Sequence, residues 1–221
     1  MIHSFSKIKT DRNYNEDFKT YQTIGLMQYL PANLFWSFIR ECIIHKENLP
    51  NLSGEILQTD FWVKWYNIDG TNAERYVEPD VFIRFENFDC IIEVKKTEES
   101  GQHQDQWNDQ ITAYRNTYLE RKRLIYVALG GNRDYDNDHG DRYPDVYKAS
   151  WHQLLHTVHK ALEERKSLHY VSTSVSQEIR ILHSVIDSFR KYNEYDVEFL
   201  ESIAAIQEID ITTNEFNKLW K

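Results

Sequence analysis

Two short runs, Asp80 to Phe85 (DVFIRF) and Asp89 to Val94 (DCIIEV), stand three residues apart, joined by Glu86-Asn87-Phe88. Both are rich in β-branched and aromatic residues, so they read as strands, and a three-residue link suits a tight antiparallel hairpin. The second run ends abnormally for a core strand. Ile91, Glu93 and Lys95 project from one face, and Ile92 and Val94 from the other. A strand that is otherwise core thus runs out into a carboxylate and an ammonium, while Asp80 opens its partner strand. Charges in such a place are costly unless they are paired or bind a metal.

The rest of the chain supplies what such a hairpin needs around it. Arg123 to Leu129 (RLIYVAL) is a nearly continuous apolar strand, the pattern expected when both faces of a sheet are covered. Helical spacing predicts helices over Pro31 to His45, with a Leu34, Phe35, Phe38, Ile39, Cys42 and Ile43 stripe, and over Gln102 to Arg121. Two more are predicted at Trp151 to Glu164 and Ser174 to Asn193. The alternation of Phe61 to Tyr66 predicts a strand, and Val146 to Ala149 a short one. Residues 1–20 read as a polar arm, and Val197 to Lys221 as weakly helical. The expected fold class is α/β (α+β), a central mixed β-sheet flanked by helices with a helical C-terminal extension. The division expected is residues 1–168 as the main domain with its arm, and 169–221 as the extension.

Composition bounds the function. Asp plus Glu number 35 against 26 Lys plus Arg, a formal net charge of -9, which argues against a protein that coats nucleic acid by charge alone. Two cysteines, Cys42 and Cys90, exclude a disulfide scaffold and any four-cysteine zinc or iron–sulfur centre. They read as buried thiols in a reducing, cytoplasmic setting. No apolar run is long enough for a bilayer, so no membrane partner is expected, and residues 1–20 lack the apolar core of a secretory signal.

The chemistry concentrates in Glu78-Pro79-Asp80 and Glu93-Val94-Lys95. Two carboxylates brought close together suit a hard divalent cation, Mg²⁺ or Mn²⁺, with oxygen ligands and retained waters. A lysine beside them can position an attacking water and offset transition-state charge, which in outline is metal-assisted phosphodiester hydrolysis.

Pro79-Asp80 followed by Glu93-x-Lys95 at the ends of adjacent strands resembles the PD-(D/E)xK nuclease superfamily. The resemblance covers roughly residues 31 to 165 and implies a restriction-endonuclease-like core. It implies metal binding by Asp80 and Glu93, and a catalytic role for Lys95. The family often carries a glutamate on its first helix that completes the metal site, for which Glu41 is the candidate; the alternative is an exposed helix glutamate. RecB-like members carry a Gln-xxx-Tyr pair on the helix after the lysine, and Gln110 and Tyr114 stand at that spacing. Tyr114 reads equally well as core beside Trp107 and Ile111. Lys96 is a further candidate for contacting substrate phosphate. Many RecB-like nucleases hold an iron–sulfur cluster on four cysteines, a feature two cysteines cannot supply.

The expectation is therefore a metal-dependent nuclease acting on nucleic acid, DNA before RNA, in a restriction, phage-defence or mobile-element setting. The acidic balance points to a homodimer or a partner subunit as a source of added affinity. The alternative is a non-catalytic subunit on the same fold, a binding or assembly module. Asp134, Asp136, Asp138 and Asp145 faintly suggest a calcium loop, but the required Gly and Glu positions are wrong, so a solvated acidic loop is expected. His152, His156 and His159 share a helix face without the glutamate of a zinc protease and read as ordinary histidines.

Overall fold

The computed structural model describes residues 16–97, 101–119, 122–132 and 146–192. The elements run α1 (Glu16–Met27), α2 (Ala32–Glu41), β1 (Ile56–Phe61), β2 (Val81–Phe85), β3 (Asp89–Val94), α3 (Gln104–Thr117), β4 (Leu124–Leu129), β5 (Val146–Ala149), α4 (Trp151–Lys166) and α5 (Thr173–Lys191). The strands form one mixed sheet in the order β1-β2-β3-β4-β5. β1, β2 and β3 pair antiparallel, and β3, β4 and β5 pair parallel. The fold is thus α+β, a five-stranded mixed sheet flanked by helices.

Alternating side chains divide the sheet's neighbours into two cores. Val81, Ile83, Cys90, Ile92, Val94, Ile125 and Val127 pack with α1, α2, α4 and α5 on one face. Phe82, Ile91, Tyr126 and Ala128 pack with Trp107, Ile111 and Tyr114 of α3, and with Trp65 and Val77, on the other. β3 and β4 are buried along their whole length because both faces are covered. The link between β3 and the parallel β4 contains α3, the usual crossover for parallel neighbours.

Two expectations need correction. The first strand lies at Ile56–Phe61, earlier than the alternation of 61–66 suggested. Trp62 has φ of 53°, a left-handed value unfavourable for a bulky residue, and the strand stops there. Beyond it only an isolated bridge, Trp65 with Val77, remains. Second, the supposed polar arm holds a helix, α1, starting at Glu16. Its buried face includes Lys19, Thr20 and Thr23, so hydropathy periodicity conceals it. The Leu182, Val185, Ile186 and Phe189 stripe of the C-terminal helix α5 buries against the same core as the sheet, and α5 packs on α1 and α4. The tail beyond residue 192 and the acidic loop 133–145 lie outside the described residues.

Candidate functional site

β2 and β3 pair with Val81 opposite Ile92. Continuing that register one step sets Asp80 opposite Glu93, at the end of the hairpin farthest from its turn. The Asp80 carboxylate accepts a hydrogen bond from the Val94 amide at 2.8 Å. Lys95 folds back so that its Nζ donates to Glu93 Oε1 at 2.7 Å. The expected convergence of Asp80, Glu93 and Lys95 at one end of the sheet is present.

Helix α3 covers this end and holds Glu93 in place. Gln106 Nε2 donates to Glu93 Oε1 at 2.6 Å, and Gln110 Nε2 donates to Oε2 at 2.7 Å. Gln110 is itself oriented by Tyr126, whose hydroxyl donates to its Oε1 at 2.6 Å. Gln102 Nε2 donates to the Gly130 carbonyl at 3.0 Å, and its Oε1 accepts from the Trp107 indole N–H at 3.0 Å, tying the helix entry to the end of β4.

The backbone of Lys95 and Lys96 is held from the opposite side. Trp151 of α4 donates its indole N–H to the Lys95 carbonyl at 2.7 Å, and Lys19 of α1 donates to the Lys96 carbonyl at 2.9 Å. The Lys19 ammonium is fully buried and lies 4.1 Å from the centre of the Trp151 ring. Glu16, also on α1, accepts from the Lys96 amide at 2.7 Å. Gly130 has φ of 74°, and a Cβ there would sit 2.6 Å from the Lys95 carbonyl oxygen, so this position demands glycine.

The electrostatics follow from crowding. Burial, then the Glu93 charge, raises the Asp80 carboxyl well above its ordinary value; the Val94 amide and Lys95 oppose this, and Glu16 adds to it. Burial also raises Glu16, with Lys95 and the Lys96 amide pulling it down and Glu93 pushing it up. For Lys95, burial works against its charge, but Glu93, Glu16 and Asp80 outweigh that, and its pKa is raised. Among the described residues three carboxylates therefore crowd the Lys95 ammonium, a crowding that a divalent cation would relieve.

Among the described residues, no group of three or more His, Cys, Asp or Glu is gathered closely enough to form a ready-made metal cage. The donor chemistry nevertheless fits a hard cation that keeps much of its own water. The oxygens are carboxylate, Asp80 is partly open to solvent, and it takes one hydrogen bond.

Comparison with protein-family models, curated proteins and solved structures finds no match. The reading of the site rests on its own residues.

The other expected site residues separate. Glu41 is not part of the cluster. Its carboxylate is bound by Arg40 and Lys46 instead, the Lys46 hydrogen bond being the main force holding its pKa down. Gln110 is in the site as a donor to Glu93. Tyr114 lies one turn farther along α3, at the other end of β3, where its hydroxyl donates to buried Asp89 at 2.9 Å. The two share a helix face as expected, but they serve different acids. Lys96 keeps an exposed side chain beside the site. Glu16 is the residue that sequence reasoning missed. A Glu-Asp pair before a weak apolar run was its only signal, one of helix start.

Proposed function

We propose that the chain is a metal-dependent nuclease of the PD-(D/E)xK type, with Asp80, Glu93 and Lys95 at its centre and Glu16 as the first-helix carboxylate in place of Glu41. The observation that carries this reading is the excess of acid around one lysine: a structural ion pair needs one carboxylate, and this end of the sheet has three. The order helix, three strands, helix, strand, with an antiparallel hairpin feeding a parallel pair, supports a restriction-endonuclease-like core.

In this reading Asp80, Glu93 and Glu16 would hold Mg²⁺ or Mn²⁺. A bound divalent cation supplies Lewis-acid polarisation of a phosphoryl oxygen and lowers the pKa of a bound water. Lys95 stays charged at neutral pH, because the carboxylates raise its pKa. Its part is then to orient the water and offset charge growing on the phosphoryl oxygens, not to take a proton. Gln106 and Gln110 fix the Glu93 carboxylate, and Tyr126 fixes Gln110. Lys96 is placed to meet a substrate phosphate.

One observation favours the alternative, a non-catalytic binding or assembly module: both Glu93 oxygens are already satisfied by Lys95, Gln106 and Gln110. Incubating the purified chain with supercoiled plasmid, linear DNA and RNA, each with Mg²⁺, Mn²⁺ or EDTA, separates the two. The nuclease reading expects cleavage that EDTA stops. Intact substrates in every condition, or cleavage undiminished in Lys95→Ala, would overturn it.

A further inference from the structure

Just upstream of Asp80 the chain makes a finger, residues 64–78, closed by a mutual pair of backbone hydrogen bonds between Trp65 and Val77 at 2.9 Å each. Trp65 and Val77 point inward and belong to the core under α3. In that antiparallel register, Tyr66 stands opposite Tyr76, and Lys64 opposite Glu78, so these four share the outward face. The finger is anchored to α3: Asn72 donates its backbone and side-chain N–H groups to Asp109 at 2.9 and 3.2 Å, and Asn116 donates to the carbonyls of Asn67 and Asp69 at 3.1 and 2.8 Å.

Its outward face is aromatic. Tyr66 is 69% exposed and Tyr76 37%, with ring centroids 6.1 Å apart and planes at 64°. The Lys64 ammonium lies 4.1 Å from the Tyr76 ring centre and 3.7 Å from the Glu78 carboxylate. A cross-strand tyrosine pair stabilises a ladder modestly, but a ladder does not require two-thirds of a tyrosine to remain in water. The chain from Tyr76 to Asp80 is four residues, so their Cα atoms lie within about 14 Å. That is a short stretch of a nucleic-acid strand.

We propose that Tyr66 and Tyr76 form a stacking platform for unpaired bases, so that the site upstream of Asp80 takes single-stranded nucleic acid or a single-stranded segment at a junction or end. The class of ligand rests on the nuclease reading of Asp80, Glu93 and Lys95. The choice of unpaired bases rests on two further arguments. A duplex hides its base faces in its own stack, so aromatic side chains reach them only in unpaired strands. A chain of net charge -9 gains little from counterion release, whereas stacking on an aromatic side chain does not depend on net charge. Lys64 puts one cation next to the rings, where the strand's phosphates would pass. The four bonds to α3 hold the platform in place before the strand arrives, which reduces the ordering cost of binding.

The test is fluorescence anisotropy on the full chain in EDTA, with a labelled single strand, the blunt duplex of the same sequence and an abasic strand of the same length. The single strand should bind best. Tyr66→Ala and Tyr76→Ala should each weaken it on the order of 5- to 150-fold, with the duplex and abasic strand little affected. Tyr66→Trp should retain or improve binding. Circular dichroism and melting check the fold, and the more exposed Tyr66 keeps the test decisive should Tyr76→Ala loosen the finger. Unchanged affinity of Tyr66→Ala for the single strand, an abasic strand bound as tightly as the intact one, or no binding of any strand would each overturn the platform. Cleavage in Mg²⁺ is scored separately. A chain that cuts duplex DNA while Tyr66→Ala leaves strand affinity untouched loses the platform and keeps the nuclease. A chain that binds single strands through Tyr66 and cuts nothing keeps the platform and loses the nuclease.

Discussion

Strand β3 buries two acids on the same face, four residues apart, both beneath α3. At its start Asp89 takes the Tyr114 hydroxyl at 2.9 Å and lies 3.4 Å from the Arg84 guanidinium. Arg84 in turn lies 5.0 Å from the Tyr118 ring centre, so its charge is itself supported. At its end Glu93 also has an amide, a hydroxyl-linked relay and a cation, yet Asp80 and Glu16 are close enough to push against it. One end is a balanced ion pair. The other crowds Asp80, Glu93 and Glu16 around Lys95. Buried acids alone therefore do not mark a candidate site; crowding by like charge is what sets this end apart.

The largest difference between the two ends should appear in turnover. Lys95→Ala should lower divalent-dependent cleavage on the order of 10²- to 10³-fold, the usual loss for removing one transition-state donor. Asp89→Ala, by contrast, should leave cleavage per folded molecule nearly unchanged. Paired single-turnover assays on the two variants check this, and equal losses would erase the contrast drawn above.

Stability should show the reverse. Removing Asp89 leaves a cavity and takes the acceptor from the buried Tyr114 hydroxyl, and should cost about 2 kcal/mol by urea melts. Lys95→Ala should cost less, because Asp80 and Glu93 can then share a proton.

Next in size is the response to pH and cations. Asp80 and Glu16 have raised folded-state values, so what their protonated forms contribute is fully present below the ordinary carboxylate range. It is lost as pH rises through the folded values. Asp80→Asn, uncharged throughout, should therefore be more stable than the wild type by about 1 kcal/mol at pH 8 without metal, and no more stable near pH 4. Mg²⁺ should raise the wild-type Tm at pH 8, raise it less at pH 5, and leave Asp80→Asn almost unaffected. Thermal melts across that pH range decide it. A cation effect that grows as pH falls would remove the charge excess as its cause.

The smallest effect sharpens the boundary between the two ends on α3. Tyr114→Phe deletes one hydrogen bond to Asp89 and should cost about 1 kcal/mol with no change in cleavage. Gln110→Ala should cost somewhat more, because it orphans the buried Tyr126 hydroxyl, and should also slow cleavage, because it frees Glu93 to reorient. If Tyr114→Phe also slows cleavage, the spacing shared by the two side chains reflects one site and not two.

Much of this was legible from residue pattern. β3 and β5 fall where the apolar runs place them, the β2–β3 hairpin follows from its three-residue link, and α4 begins at Trp151 where the pattern begins. The Asp80, Glu93 and Lys95 convergence was legible because period-two alternation and hairpin register are local rules. What was not legible is set by distant contacts. Periodicity conceals α1, whose buried face includes the polar Lys19, Thr20 and Thr23 beside Ile24 and Met27; the threonines bond back within the helix, and Lys19 is satisfied only by the distant Lys96 carbonyl. Glu16 went unread with it. Glu41 was a sound reading of a helix edge, but what that edge meets is set by tertiary packing, here Arg40 and Lys46, that the stripe does not encode. The strand at 61–66 failed on Trp62, whose left-handed backbone interrupts an alternation that continues in the letters.

The two bonds from α1 to Lys96 span 80 and 77 residues of chain. The bonds from α3 to Glu93 span only 13 and 17. Closing a loop of that longer size costs about 4 kcal/mol of chain entropy before any contact compensates it, so the α3 side can assemble early and locally while α1 docks late. During synthesis the N-terminal helix emerges first and must wait for the second half of the hairpin before Glu16 and Lys19 have anything to hold. The third carboxylate thus joins the other two only when the chain has closed on itself. The cluster is a record of completed folding, and half-made chains carry it in pieces.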